Sequence, residues 1–541
     1  MLRPFALALM LLAGIPAHAA QEGDDSALQG RLEAHITFLA DDALRGRQPG
    51  TDGYEIAANY VASQFRQMGL QPAGSKGSYL QPVPLRRAWL ADGSAQLELL
   101  RDGGVRSFAF VEEFYRSPSL AHTESEVRST MVFAGYGIDA PPLEYNNFDG
   151  LDVSGKVVVV LRGQPLDFPS EEGAHFSSSR EIMTNLVKRG AIGLIMIHTP
   201  RSEQRFAWKR VESLVGTPSM GWLEANGEVF ASFEQLRGGA MLHFSAAEAL
   251  FEGAELPLAD LLARDAAGES VPAFALPGEI RMTQASRHES ISSPNVAGYL
   301  PGSDPLLSDE FLVYTAHLDH IGELHGEGHD DAINNGALDN ASGISVMLET
   351  ARLFSEGDAP RRSILFLAVT AEEKGLVGSE YFALNPTIPR KQLAAVVNLD
   401  MPLLLYDFGD VIAFGAEHST LGDAVRTAAE REGVALTPDP FPEQNIFVRS
   451  DHYRFVQQGI PAVFLVTGVT SADGSTDTKP IFEGFLKDHY HTPSDDLNLP
   501  INYRAAARFT RVNFGIGDII ANQLESPRWH EGDFFGETFG Q

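Results

Sequence analysis

The chain has 541 residues, 44% of them apolar, with 41 basic against 72 acidic side chains and a formal charge of −31. Its length exceeds what one hydrophobic core normally serves, so two structural domains are expected, and its acidity argues against nucleic acid or an anionic membrane as a partner. It has no cysteine, which excludes disulfides, thiolate ligands and a cysteine nucleophile, so any metal must be held by His, Asp and Glu.

Residues 1–19 read as an export signal. Arg3 supplies the positive start, and the apolar run 5–15 is too short to span a bilayer. Ala17-His18-Ala19 fits a small-x-small cleavage site. Loss of Arg3 would take the formal charge from −31 to −32. No later stretch is apolar enough to cross a membrane, so a secreted or periplasmic location is expected.

Residues 51–69 form an amphipathic helix pattern, with Ile56, Tyr60, Val61, Phe65 and Met68 on one face and Gly69 as the stop. Strand-like and turn-like sequence begins near residue 85. A strand at 157–161, a helix at 181–189 and an apolar run at 192–197 make a small α/β unit without a cluster of metal-type residues. From residue 290 the alternation is regular. Strands are expected at 311–316, 364–369, 394–399, 411–415 and 462–466, and helices at 343–355, 374–384 and 503–521.

Continuously apolar strands alternating with helices imply a mostly parallel sheet covered on both faces. The expected fold is therefore an α/β domain with a mostly parallel mixed sheet, plus a smaller inserted β-rich α/β domain. The boundaries read as 20–85 for the first part of the large domain, 86–289 for the insert (core 130–285), and 290–541 for the main part.

Ligands in open α/β sheets gather beyond the carboxyl ends of the strands. His317 and Asp319 follow the strand ending at Ala316, Glu372 and Glu373 follow the one ending at Val369, and Asp400 directly follows Leu399. Asp339 sits in a turn, Gly336 to Gly343, that leads into a helix. His491 sits in a loop before the last helix of the regular alternation. Zinc takes N and O ligands at about 2.0–2.2 Å. His317, Asp339, Glu373, Asp400 and His491 would serve two zinc ions if one carboxylate bridges them.

Adjacent acids such as Glu372-Glu373 ordinarily suit a solvated helix start. Their place between an apolar strand and Gly375 points instead to function. His320, His325 and His329, with Asp330 and Asp331, read as loop or pocket-rim residues. Asp451 and His452 read as supporting residues.

At these motifs the chain resembles the M28 family of zinc peptidases. The matching segments are His317-Leu318-Asp319, Gly336 to Gly343, Glu372 to Ser379, Asn398-Leu399-Asp400-Met401, Ser450-Asp451-His452 and His491-Thr492-Pro493. The resemblance covers residues 30–85 and 290–525. The middle, with Phe133 to Ile138 and Gly155 to Val160, resembles the protease-associated (PA) domain inserted in many members.

The resemblance implies a zinc exopeptidase fold acting on peptides. It implies that Asp339 bridges two zinc ions, Glu373 and His491 complete one site, and His317 and Asp400 complete the other. It gives Glu372 the role of general base, gives Asp319 the role of orienting His317, and expects a cis peptide between Asp339 and Asn340. Thr492-Pro493 favours His491 over His489 as ligand. Some members carry an oxyanion-stabilising tyrosine where this chain has Phe447, which leaves Tyr490 or Tyr453 as substitutes.

Three functions stand open on sequence. An aminopeptidase fits the Asn398-to-Met401 motif. A carboxypeptidase for acidic C-termini should need several arginines, and only Arg449 and Arg454 lie near the motifs. A non-catalytic binding protein on the same scaffold would be expected to have lost ligands.

Overall fold

The computed structural model describes residues 17–324 and 331–540. The expected export segment therefore lies outside the described residues except for positions 17–19, which begin the helix α1 (Ala17–Leu39). Helix α2 (Asp52–Gln67) follows, started by the Thr51 side chain accepting from the Tyr54 amide.

The core sheet is built from seven main strands: β1 (Leu80–Leu90), β2 (Ala273–Leu300), β3 (Phe311–His317), β4 (Ser363–Val369), β5 (Leu393–Leu399), β6 (Asp410–Phe414) and β7 (Ala462–Thr467). They lie side by side in the order β1-β2-β4-β3-β5-β7-β6. The pairs β4–β3, β3–β5 and β5–β7 are parallel, and the pairs toward both edges are antiparallel.

Every residue of β3 and β4 is buried, as a strand covered on both faces requires. The two-residue period divides them cleanly. Leu312, Tyr314, Ala316, Ile364, Phe366 and Ala368 join one apolar cluster, with α1, α2, α3 (Ser342–Glu356), α4 (Leu421–Arg431) and α5 (Tyr503–Asn522). Phe311, Val313, Leu365, Leu367 and Val369 join another, with Phe382, Phe455 and Phe535.

A second sheet carries the middle of the chain. Glu124–Ala134, Val157–Leu161, Gly193–His198 and Gly238–His243 run parallel in that order. They enclose their own apolar clusters. The 28-residue strand β2 joins the two sheets. It pairs with Glu124–Ala134 over residues 273–285 and with β1 over residues 286–296.

Two sequence expectations shift here. The helix expected at 374–384 is broken. A 3-10 turn at Glu372–Lys374 is followed by left-handed Gly375 and Leu376, and the helix starts only at Val377. The antiparallel strand β2 was not expected, and its polar alternation across residues 279–295 reflects one covered face.

Candidate metal centre

β3, β4 and β5 point their carboxyl ends at one place. His317 closes β3, and the Leu318 amide then donates to the Val369 carbonyl at 2.9 Å, so the chain crosses over the end of β4. His317 Nδ1 lies 3.1 Å from the main-chain oxygen of Asp319. A carbonyl only accepts, so Nδ1 carries the ring proton and Nε2 presents a lone pair. That lone pair faces Asp339 Oδ1 at 3.2 Å and Asp400 Oδ1 at 3.1 Å.

The sequence reading has Asp319 orient His317, and the residue meets the ring with its main-chain oxygen rather than its carboxylate. The carboxylate accepts from the amides of Glu372 at 3.1 Å and Glu373 at 3.4 Å, and so holds the turn after β4. It does so because the chain turns back over β4 immediately after His317, which leaves only the Asp319 carbonyl beside the ring.

The second half of the cage repeats the pattern. His491 Nε2 lies 3.2 Å from Asp339 Oδ2 and 3.1 Å from Glu373 Oε2. Asp339 Oδ2 is buried yet accepts no hydrogen bond. Asp339 thus offers one oxygen to each half. Ligand atoms around a tetrahedral ion at 2.0–2.2 Å stand about 3.3–3.6 Å apart, close to these spacings. His317, Asp339 and Asp400 bring ligand atoms within 4.8 Å of one another, as do His317, Glu372 and Glu373.

Buried carboxylates facing imidazole lone pairs repel unless a cation or protons intervene. Protons can serve in that role as well as a cation. Burial opposes charge on His317, but Asp400, Glu372 and Asp339 outweigh it and hold its pKa well above the ordinary value. Burial likewise opposes charge on His491, and Glu373 and Asp339 raise it to about 10. Glu372 is pushed well above the carboxylate range, chiefly by burial, against the pull of His317. The donor set and the unpartnered Asp339 oxygen therefore fit a pair of divalent cations.

Supporting groups fix the ligands, and of these Asp495 and Arg47 were absent from the sequence reading. Asp495 is fully buried, and its two oxygens accept from the amides of Leu338 and Asp339, each at 2.9 Å. Ser450 donates to Asp400 Oδ2 at 2.5 Å and accepts from Asn398 at 2.7 Å. Buried Arg47 donates to the carbonyls of Leu318 at 2.9 Å, Asn335 at 2.6 Å and Gly336 at 3.1 Å, and also to that of Leu39.

Gly336 is left-handed, and a Cβ there would stand 2.1 Å from the Asp339 carbonyl oxygen. At Gly343 a Cβ would stand 2.1 Å from Asn340 Oδ1, which accepts from the Gly343 and Met401 amides. The Asp339–Asn340 peptide is cis. Ala371, Leu376, Met401 and His491 are left-handed without being glycine, and strained backbone of this kind gathers at functional sites.

The remaining histidines and acids separate. His320 is not at a rim. It is fully buried, with Nδ1 2.7 Å from Glu373 Oε1. The loop turns it inward because β3 has already crossed over β4 at that point. His489 turns to Ser494 Oγ at 2.9 Å and stays out of the cage. Asp331 is an exposed loop acid accepting from the Ile333 amide at 3.0 Å. His325, His329 and Asp330 lie outside the described residues.

Asp451 and His452 are both fully buried. Burial pushes Asp451 up to about 7 and His452 down to about 3. Phe447 is core, packed on His418, His452 and Phe535. The Tyr453 hydroxyl is taken by His175 Nδ1 at 2.6 Å. Tyr490 stacks on His491 with ring centroids 3.7 Å apart.

Parts of this chain are similar to known proteins. A probable zinc metalloprotease of Pyrenophora teres f. teres is 39% identical over 112 residues, covering 20% of this chain and 23% of that one. A probable leucine aminopeptidase 2 of Aspergillus fumigatus is 32% identical over 216 residues, covering 37% and 41%. The chain thus spans less than half the length of these curated relatives. The solved aminopeptidase from Aneurinibacillus sp. strain AM-1 shares the fold, with a TM-score of 0.53 at 20% identity over 92% of this chain and 97% of that one. Residues 295–516 match the model of peptidase family M28.

Proposed function

We propose that this protein is a zinc-dependent aminopeptidase that holds two ions between His317, Asp400 and Asp339 on one side and Asp339, Glu373 and His491 on the other. The observation that carries the reading is Asp339, whose two oxygens face two separate His–carboxylate pairs. Zinc held there lowers the pKa of a water and polarises the scissile carbonyl. The names of the relatives support both the metal and the attack at an amino terminus.

Glu372 takes the proton of the attacking water and returns it to the leaving amine. Its burial suits that work, because a carboxylate pushed above its usual range is a stronger base than an exposed one. Asp319, through the amides of Glu372 and Glu373, keeps the base and the ligand in one rigid turn. Tyr490 is the hydroxyl beside the cage that can donate to the developing oxyanion, since Tyr453 is engaged elsewhere.

Arg454 is committed to Glu380 and the Gly375 carbonyl. That leaves Arg449 as the remaining arginine near the motifs, too few for a carboxypeptidase of the acidic type. We also read the middle lobe as a PA-type insert and residues 1–19 as an export signal. A panel of N-blocked and C-blocked peptides, run with and without chelator, tests the activity. Cleavage of C-blocked but not N-blocked peptides, abolished by chelator, is expected. The opposite pattern would sink the aminopeptidase reading.

A further inference from the structure

The middle lobe touches the core around the metal centre, and one of these contacts leads straight to the catalytic turn. Arg180 stands on the helix Ser179–Lys188 of that lobe. Its two terminal nitrogens meet Glu380 at 2.5 and 3.3 Å, a forked pair across the lobe boundary. Glu380 is on the short helix Val377–Leu384, directly after the turn that bears Glu372 and Glu373. Its side chain is only 8% exposed. Trp222, whose strand pairs with β1 at the edge of the core sheet, donates to Glu380 Oε2 at 3.0 Å.

Arg454 of the core stands 3.5 Å from the same carboxylate. Its second nitrogen donates to the Gly375 carbonyl at 3.1 Å. Gly375 closes the turn, its amide bonded to the Glu372 carbonyl at 2.8 Å. The turn is thus gripped from two sides, by Asp319 on its amides and by Arg454 on its last carbonyl.

A buried carboxylate needs compensation, and Arg454 alone would then be drawn fully onto Glu380. With Arg180 supplying the fork, Arg454 keeps one nitrogen for Gly375. We propose that Arg180 is a positioning residue. Acting from the middle lobe through Glu380 and Arg454, it fixes the turn that presents Glu372 and Glu373, so the centre reaches its working geometry only with that lobe docked. The proposal rests on the metallopeptidase reading of the site.

The test uses the full-length chain, one preparation loaded with zinc and assayed on leucine p-nitroanilide, another loaded with cobalt(II) and read by its visible absorption. Arg180→Ala should lower kcat about 10- to 100-fold with KM little changed, as a small misplacement of catalytic groups does. Arg180→Lys should recover part of the loss. The double variant Arg180→Ala/Arg454→Ala should be no slower than Arg454→Ala, because both act through one carboxylate. The cobalt band should shift in Arg180→Ala.

Arg189→Ala, which removes an ion pair confined to the middle lobe, should leave kcat and the band in place. An unshifted band in Arg180→Ala, or losses that multiply in the double variant, would overturn the relay. If the unaltered chain cleaves no peptide yet its cobalt band still shifts in Arg180→Ala, the peptidase reading fails and the relay stands.

Discussion

In the core sheet, β3, β4 and β5 end at His317, at the Glu372–Glu373 turn and at Asp400. In the middle lobe, the parallel strands Gly193–His198 and Gly238–His243 end side by side at His198 and His243. Both ends are polar and partly or wholly buried, yet their chemistry differs. His198 Nε2 meets a single carboxylate, Glu203, at 2.8 Å, and aromatic rings of Trp208 and Phe206 close around it. In the core, several carboxylates share each imidazole and one oxygen of Asp339 has no partner. A strand end becomes a metal centre through excess buried negative charge, and topology alone does not make one.

The largest effect should come from removing that excess. Asp339→Ala takes an oxygen from both halves of the cage, so bound zinc should fall below about one equivalent and kcat by at least about 10³-fold. Elemental analysis beside the assay checks both. Retention of two equivalents would break the comparison, because the shared carboxylate would then not be the source of the charge. Glu372→Gln should keep the metal and lower kcat by about 10²–10⁴-fold. Turnover near that of the unaltered protein would remove the base from its role. Tyr490→Phe should cost about 10²-fold in kcat with KM little changed, and an unaltered kcat would leave the oxyanion to the metals.

Asp339 and Glu372 could be singled out in sequence because each sits in a short motif, whereas Tyr490 was one of two tyrosines left open. The supports were not legible. Asp495 holds Asp339 from 156 residues away and Arg47 reaches Gly336 from 289. No local period marks such pairings, and a lone Arg or Asp in a loop reads as solvated. Arg180 is harder still, since its helix belongs to another lobe. The order of the core elements was legible for the opposite reason. Strands covered on both faces are apolar throughout, whereas β2, with one face open over much of its length, alternates and reads as loop. The hold of the Asp319 carboxylate on the Glu372 and Glu373 amides was not legible, because contacts to main-chain amides leave no trace in the sequence.

A third cluster lies between these two cases. His418 is held between Asp533 at 2.5 Å and Glu171 of the middle lobe. Burial opposes its charge, but the two carboxylates raise its pKa from 6.5 to about 10. A group raised on folding stabilises fully below its unfolded pKa and loses that contribution as pH climbs through its folded one. His418→Gln should therefore lower Tm by several degrees at pH 6.5, with the gap to the unaltered protein narrowing toward pH 10. A gap that widens with pH would show that the imidazole is neutral when folded.

The smallest effect should come from the middle-lobe histidines. Burial pushes His198 below its ordinary range, with Glu203 pulling the other way, so the ring is neutral in neutral solution. A neutral ring facing one carboxylate gathers far less negative charge than the carboxylates around Asp339, and so holds a divalent cation poorly. His198→Asn should thus keep about two equivalents of zinc and a kcat within about twofold, while Tm falls because Glu203 loses a partner. Zinc lost in step with this substitution would mean that the middle lobe contributes a ligand after all. The contrast between the two strand ends would then be one of degree, and the excess-charge argument would have to extend to His198 and Glu203.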